Sequence, residues 1–292
     1  MKKKPARPDN DSADSAPVDK FESVSKPVLD WRSESTREVS DAIVRESAVA
    51  LVYNGISHVV MMATPVHLED FALGFSLTEG ILTSPGQLYD VEIQDHAQGI
   101  EVALQISAER FAALKSARRN LTGRTGCGLC GAESLEQAIR TPEPVFARHV
   151  FSHDGIEHAV RYLEVNQPLQ GVTGAVHGAA WCDNLGNIEL VREDVGRHNA
   201  LDKLCGALAS GSGGWGLLGS GGLAEDGHFV LISSRASYEM VVKAACMGVE
   251  MLVAVSAPTQ LAVELAEKLN ITLVGFARPG RHMVYTCPDR LR

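Results

Sequence analysis

The sequence predicts a mixed α/β chain, with an α+β first half and a second half in which helices alternate with strands buried on both faces. Three observations carry this. The short apolar runs MLVAVS (251–256) and ITLVGF (271–276) suit strands covered on both sides, and the helical segments between such runs imply right-handed parallel crossovers. Asn54-Gly55, set between two apolar runs, is a strong hairpin signal. Pro142 and Pro144 mark the point where the rhythm changes.

The elements follow in order. Residues 1–32, rich in Lys, Asp, Ser and Pro, offer little for a core and are expected to form a disordered tail. The α+β subdomain is expected over 33–140. It opens with the hairpin in ESAVALVYNGISHVVMMA, followed by Thr64-Pro65, which reads as an N-cap with proline in the first turn. Leu68, Phe71, Ala72 and Phe75 then recur at helical spacing, and Gly80 stands where that helix should stop. Two strands, LYDVEIQD and IEVALQI, precede a short helix at AERFAALKSA. The second domain, 141–292, begins with a helix around IEHAVRYLEVN, then strands AVHGAAWC and NIELVRE joined by the turn DNLGN. Helix and strand next alternate through RHNALDKLCGALAS, HFVLIS, SYEMVVKAACMG, MLVAVS, APTQLAVELAEKLN and ITLVGFA. The glycine-dense stretch SGSGGWGLLGSGGLAEDG reads as an inserted flexible segment.

Composition excludes several classes. The 292 residues carry 27 basic and 36 acidic side chains, a formal charge of −9. Such a surface disfavours general binding to nucleic acid or to an anionic membrane. No apolar run approaches the ~18 residues that would cross a bilayer. The opening MKKKPARPDN is basic but has no apolar segment behind it, and six cysteines in a chain this long make no disulfide scaffold. A reduced, cytoplasmic protein is expected.

The densest chemical signal is RFAALKSARRNLTGRTGCGLCGA. From Arg110 to Ala132 there are five basic residues and no acidic one, a local inversion of sign in an acidic chain. The segment ends in Cys127-Gly-Leu-Cys130, immediately before the helical AESLEQAI. Nearby cations, a helix N-terminus and the Cys-X-X-Cys spacing all favour a thiolate. The glycines at 123, 126, 128 and 131 point to a mobile loop or unusual backbone angles. A cationic, thiolate-bearing arm suggests sulfur chemistry on an anionic partner. Two other readings stand beside it. Half of a structural zinc site needs two more ligands, and no second Cys-X-X-Cys or His-X-His is present. A thioredoxin-type site expects the motif after a strand, whereas here it follows a helix and a glycine loop.

In the second half, polar clusters recur at strand-to-helix transitions. They are Thr173 and His177, Glu193 to Asn199, Ser233-Ser234-Arg235, Ser256 to Thr259, and Arg278 to His282. In α/β sheets such ends line the ligand crevice, and helix N-termini together with Arg197, Arg235, Arg278 and Arg281 suit phosphate. Singly, each cluster reads as capping and turn chemistry; together they point to a nucleotide-like anion pocket. His177 on its own reads as a hydrogen-bonded core histidine, with proton donor or metal ligand as the alternative. Zinc-dependent deaminases require His-X-Glu; this chain has His177-Gly-Ala179, so no catalytic zinc is expected. Cys205 and Cys246 lie in helical segments and read as core.

The blocks GCGLCG (126–131), TGAVHGAA (173–180), EDVGRHNALDK (193–203), SSRASYEMVVKAA (233–245), SAPTQLAVELAE (256–267) and LVGFARPGRHMVYT (273–286) occur in this order. By them the chain resembles the FdhD family of formate dehydrogenase accessory sulfurtransferases, from about Arg37 to the C-terminus. The resemblance implies a cytidine deaminase-like core and a homodimer. It also implies a persulfide carried on Cys127, with Cys130 as its partner or tuner. Sulfur would come from a cysteine desulfurase and go to the bis-molybdopterin guanine dinucleotide form of the molybdenum cofactor, before that cofactor enters formate dehydrogenase. The implied cofactor-binding stretch is Phe276, Ala277, Arg278, Pro279, Gly280 and Arg281; His177, Arg197, Ser234 and Arg235 complete the expected pocket. A non-catalytic cofactor chaperone with structural cysteines is the alternative. Two departures from the family pattern, Ser234 where a glycine is common and a long glycine-rich segment at 210–222, fall near the pocket edge.

Overall fold

The computed structural model describes residues 23–32, 35–121, 141–210 and 227–292. Cys127, Cys130 and most of the glycine-dense stretch lie outside them.

The amino-terminal part of the chain is built on a four-stranded sheet, ordered β4-β3-β6-β5. Strands β3 (Ser47–Tyr53) and β4 (Ile56–Ala63) form the expected hairpin. Asn54 and Gly55 both take positive φ, 45° and 80°, the conformation that lets a two-residue turn follow the sheet's twist. The Asn54 side chain also bonds the backbone N–H and C=O of Ile106, which ties the turn to the end of β6 (Gly99–Ile106). The edge strand is β5 (Leu88–His96). Alternate residues Val49, Leu51, Tyr53, Val102, Leu104 and Ile106 are buried on one face, against helix α1 (Leu68–Thr78). Helix α1 ends at Gly80, φ 70°, as its spacing predicts. Helix α2 (Ala108–Leu121) is fastened at its base, where Arg110 donates to the carbonyls of Gly80 and Ile81, both at 2.6 Å.

The central sheet has six strands, ordered β12-β11-β10-β9-β7-β8. Strands β9 (His228–Ile232), β10 (Met251–Ala254) and β11 (Thr272–Arg278) are parallel, as the wholly apolar runs require. Strands β7 (His177–Asp183), β8 (Ile188–Asp194) and β12 (Arg281–Val284) run antiparallel to their neighbours. Period-two alternation divides the apolar side chains between two layers. Ala179, Trp181, Val230, Ile232, Leu252 and Leu273 face a core shared with α1, α5 (Arg197–Ser210), α6 (Tyr238–Cys246) and α7 (Gln260–Lys268). Ala180, Cys182, Phe229, Leu231, Val253 and Val274 face α3 (His153–Tyr162) on the other side. The short helix α4 (Pro168–Thr173) leads into β7. One hydrophobic core therefore contains residues from both sides of the boundary expected at residue 140.

Two expectations need correction. The disordered tail was expected to reach residue 32, but Ser23–Arg32 is strand β1, paired along its whole length with β2 (Ser35–Val44). Cross-strand β-branched pairs, Val24 with Ile43 and Val28 with Val39, give this ribbon its cohesion. Thr64 is not the N-cap of α1. The helix starts at Leu68, and Thr64 is fully buried. Its N–H donates to Asp194, its hydroxyl accepts from the Val195 N–H, and its carbonyl accepts from Lys203. A residue that reads locally as a cap is the point where the first sheet is tied to the second.

Helices α1 and α5 cross at backbone contact. A Cβ on Gly74 would lie 1.7 Å from the Asp202 carbonyl oxygen, and one on Gly206 would lie 1.8 Å from that of Asp70. Buried charge brackets this crossing. Lys203 meets Asp194 at 2.7 Å, both side chains wholly buried. Lys243 binds Asp202 and the partly exposed Glu79, while Thr78 donates to Asp202.

Candidate ligand cleft

Because β7 runs against β9, its amino end sits beside the carboxyl ends of β9, β10 and β11. Open α/β sheets bind ligands at that edge. The juxtaposition is held by two bonds to Gly178: its carbonyl accepts from Ser233 N–H, and its N–H donates to Ser233 Oγ, both at 2.9 Å. A cleft of about 930 Å³ opens here, walled by α3 and α4 and by the strand ends at Ser233, Val255, Ala277, Arg278 and Pro279. A side pocket of about 430 Å³ shares Gln167, Gln170, Gly174 and Ser233 with it and adds His177.

The wall is set by Glu193. Its buried carboxylate accepts the backbone N–H of Leu169 and of Gln170, satisfying the start of α4. Gly174, φ 66°, ends that helix in the left-handed conformation. Thr173 bonds back to the Leu169 carbonyl. Gln167, only 3% exposed, lies flat against β7: a Cβ on Gly178 would fall 2.2 Å from its Nε2. That nitrogen is buried and has no hydrogen-bond partner among the described residues. Gln167 lines the cleft, while this nitrogen is itself turned against Gly178.

His177 is half-buried, and burial, followed by the charge of Arg197, holds its pKa below the ordinary value. It is therefore neutral near pH 7, able to donate from one ring nitrogen and accept at the other. Arg278 lines the cleft with an exposed side chain, and Arg161 lies across from it, paired to Glu157 at 2.7 Å. The hairpin from β11 to β12 turns at Pro279-Gly280, with Gly280 at φ 77° and its N–H on Glu157. Just before it, Phe276 has φ 51°, where β11 bulges, and its N–H bonds the Ser256 carbonyl. Strain of this kind in a bulky residue is held in place only by its surroundings.

The structure separates the sequence-predicted residues into groups. His177, Ser233, Ala277, Arg278 and Pro279 line the cleft or its side pocket. Phe276 and Gly280 shape its rim through the backbone. Arg281 is exposed and directs its guanidinium to the Met283 sulfur. Ser234 is buried with its hydroxyl on the Arg235 carbonyl, and Arg235 is exposed. Arg197 stands at the start of α5, its Nε buried without a partner among the described residues. Asp194 and Asn199 belong to the brace beneath α1: Asp194 accepts from Asn199 and Gly196 as well as from Lys203. Thr259 caps α7. Cys127 and Cys130 lie outside the described residues. Sequence reasoning missed the wall at 160–174, including Gln167; its signal was the Gln167-Pro-Leu-Gln170-Gly run just before His177. No group of three or more metal-ligating side chains occurs among the described residues, and no described helix is long and apolar enough to cross a membrane.

The FdhD/NarQ family model matches residues 44–292. The chain belongs to that family. It is 55% identical over 262 residues to the sulfur carrier protein FdhD of Cupriavidus necator, covering 90% of this chain and 88% of that one. It is 47% identical over 269 residues to the sulfur carrier protein FdhD of Xanthomonas euvesicatoria pv. vesicatoria, covering 92% of each. A crystal structure from Desulfotalea psychrophila, provisionally assigned as a formate dehydrogenase accessory protein, superposes with a TM-score of 0.68. That match covers 93% of this chain and 100% of the other at 24% identity, and it shows a shared fold.

Proposed function

We propose that this FdhD/NarQ protein is a cytoplasmic sulfur carrier. It takes persulfide sulfur from a cysteine desulfurase and passes it to the bis-molybdopterin guanine dinucleotide cofactor before that cofactor enters formate dehydrogenase. The observation that carries the sulfur role is 55% identity, over nine-tenths of the chain, to a protein named for it. The cargo is supported by the cleft, whose size suits a nucleotide arm and whose rim carries Arg161 and Arg278.

In the loading step, the Cys127 thiolate attacks the terminal sulfur of the donor's persulfide. The new S–S bond forms as the donor's breaks, and the donor cysteine leaves as a thiolate. No net oxidation occurs. Arginines near Cys127 in the sequence favour its thiolate, and Cys130 stands three residues on. The cofactor is cargo, held at the strand ends by hydrogen bonds and charge. A second copy of the chain is supported by exposed apolar side chains, Leu29 and Trp31 on the ribbon and Val60 and Met62 on β4.

The test is mass spectrometry of the Cys127 peptide after incubation with a cysteine desulfurase and cysteine. The expected result is a reductant-labile gain of one sulfur on Cys127, lost in Cys127→Ala, while that variant still binds GDP. No gain, with desulfurase turnover shown in the same tube, would turn the assignment toward a cofactor chaperone without a persulfide step.

A further inference from the structure

The tip of the β11–β12 hairpin is weakly held by its own ladder. Strand β12 is the outer strand of the central sheet, and its register with β11 breaks between Gly275 and Arg278. Beyond the break the two strands pair at Arg278 and Arg281 alone. The tip is fastened to α3 instead. Gly280 N–H donates to Glu157 at 2.6 Å, and His282 Nε2 lies 2.7 Å from His153 Nδ1. The two imidazoles also stack, with centroids 4.9 Å apart and planes 23° apart. His153 and Glu157 stand one turn apart on α3, and Val160 and Arg161 further along that helix wall the cleft. Ala277, Arg278 and Pro279 of the hairpin wall it too. The contact therefore ties one wall of the cleft to another.

One of its two bonds can be undone by a proton near neutral pH. Glu157 stays ionised there, its pKa lowered by its bond to Arg161 and then by its bond to Gly280. The histidine pair behaves differently. With no added proton, or with one, a ring N–H of one histidine donates to the bare nitrogen of the other. With two, N–H faces N–H and charge faces charge across the same short gap. Burial, then the charge of His153, holds the His282 pKa below its ordinary value, while Glu157 acts the other way. His153 is exposed, so solvent protons reach the pair.

The other charged groups nearby are mostly engaged. Arg161 is on Glu157, Arg281 is turned to Met283, and Arg290 is bonded to Asn270. Asp183, in the β7–β8 turn against the start of α3, is bonded to Asn187. Asp154 on α3 completes the set, with Asp289 and Arg292 of the C-terminal segment, where the Arg292 carbonyl accepts the His153 N–H.

We propose that His153 and His282 are a proton-released clasp on the cleft: charging both rings frees the hairpin tip from α3, opens the mouth and lets the bound cargo go. The opening stands on the contact alone; its effect on cargo rests on the reading of the cleft given above.

The experiment is hydrogen exchange of the full-length protein, without nucleotide, at pH 7.5 and 5.5, corrected for intrinsic rates. Peptides over 276–284 should lose protection by about fivefold at pH 5.5, the scale of one like-charge contact near a surface. Peptides in β9 and β10 should hold theirs. His153→Phe keeps a ring against His282 but removes the second charge, so its protection should not change with pH. His158→Phe is the control, since that ring packs on Tyr162 outside the clasp, and it should respond as wild type does. Melts at both pH values show that each variant folds. No loss in wild type, or the same loss in His153→Phe, overturns the clasp. GDP titration then tests the cargo: from pH 7.5 to 5.5, wild type should lose about fivefold more affinity than His153→Phe. His177 and the GDP phosphate titrate alike in both proteins, so the difference between the two is the readout. Equal pH dependence overturns the release of cargo. If the tip opens as expected and wild type binds no GDP at either pH, the clasp stands and the cargo reading falls.

Discussion

The crossing of α1 with α5 and the cleft at the strand ends use the same kinds of residue to opposite effect. At the crossing every charge is answered. Lys203 has Asp194 and the Thr64 carbonyl; Lys243 has Asp202, Thr78 and Glu79. Beside the cleft, the equally buried Gln167 Nε2 has no partner among the described residues. The block EDVGRHNALDK spans both. Its Glu193, Asp194, Asp202 and Lys203 are spent on structure, while Arg197 is near enough to His177 for its charge to lower that ring's pKa. Density of charge in a sequence is thus a poor guide to function here.

That contrast can be broken in several ways. Lys203→Met would strand Asp194 without its buried counter-charge, and we expect a loss of about 3–5 kcal/mol in denaturant unfolding. A loss below 1 kcal/mol would mean that the pair is not as isolated from water as its burial indicates. Gly206→Ala should cost about 1–3 kcal/mol by overpacking against the Asp70 carbonyl, read by the same method. Neither change should alter GDP binding by protein that still folds.

On the cleft side, Arg278→Ala should weaken GDP binding by about tenfold, as expected for one lost charge-assisted contact. Arg281→Ala should change it less, because that guanidinium is turned to Met283. Equal losses would place the phosphates further along β12 than the cleft wall suggests. Persulfide loading of Cys127 should persist in both variants.

The smallest effect concerns pH. Burial, the leading cause in each case, lowers the pKa of His67, His177, His198 and His282. In the unfolded chain these imidazoles take up protons near pH ~6.5, and the folded chain resists. The unfolded state then binds more protons, so stability is full above ~6.5 and is lost as pH falls from there through the lowered folded values. The melting temperature should drop by a few degrees between pH 7.5 and 5.5, and His177→Gln should remove part of that drop. A flat profile would show that these rings protonate freely in the fold.

Much of this architecture could be read from local pattern. The run RHNALDKLCGALAS coincides with α5, and the apolar runs that became β10 and β11 needed no more than their neighbours to be read as buried parallel strands. What escaped depends on distant partners. Thr64 looks like a cap until Asp194 and Lys203, well over a hundred residues on, are folded against it. Strand β1 was lost in polar composition because its stability comes from pairing with β2. Gln167 had only the weak signature of the Gln167-Pro-Leu-Gln170-Gly run, since its burial depends on packing against β7. His177 and Arg278 were legible because glycine, proline and charge concentrate at strand ends.

The fastening of α2 has a consequence of reach. Arg110 grips the carbonyls of Gly80 and Ile81 at the end of α1, and α1 is locked backbone to backbone against α5. The root of the segment that bears Cys127 is therefore a fixed mooring on the body of the protein. Cys127 stands six positions beyond Leu121, a span of at most roughly 20 Å however the intervening chain is arranged. In the proposed sulfur transfer, donor and recipient would both have to come to the sulfur within that radius, so the length of this span, as much as the chemistry of the thiol, would decide which proteins can trade with it.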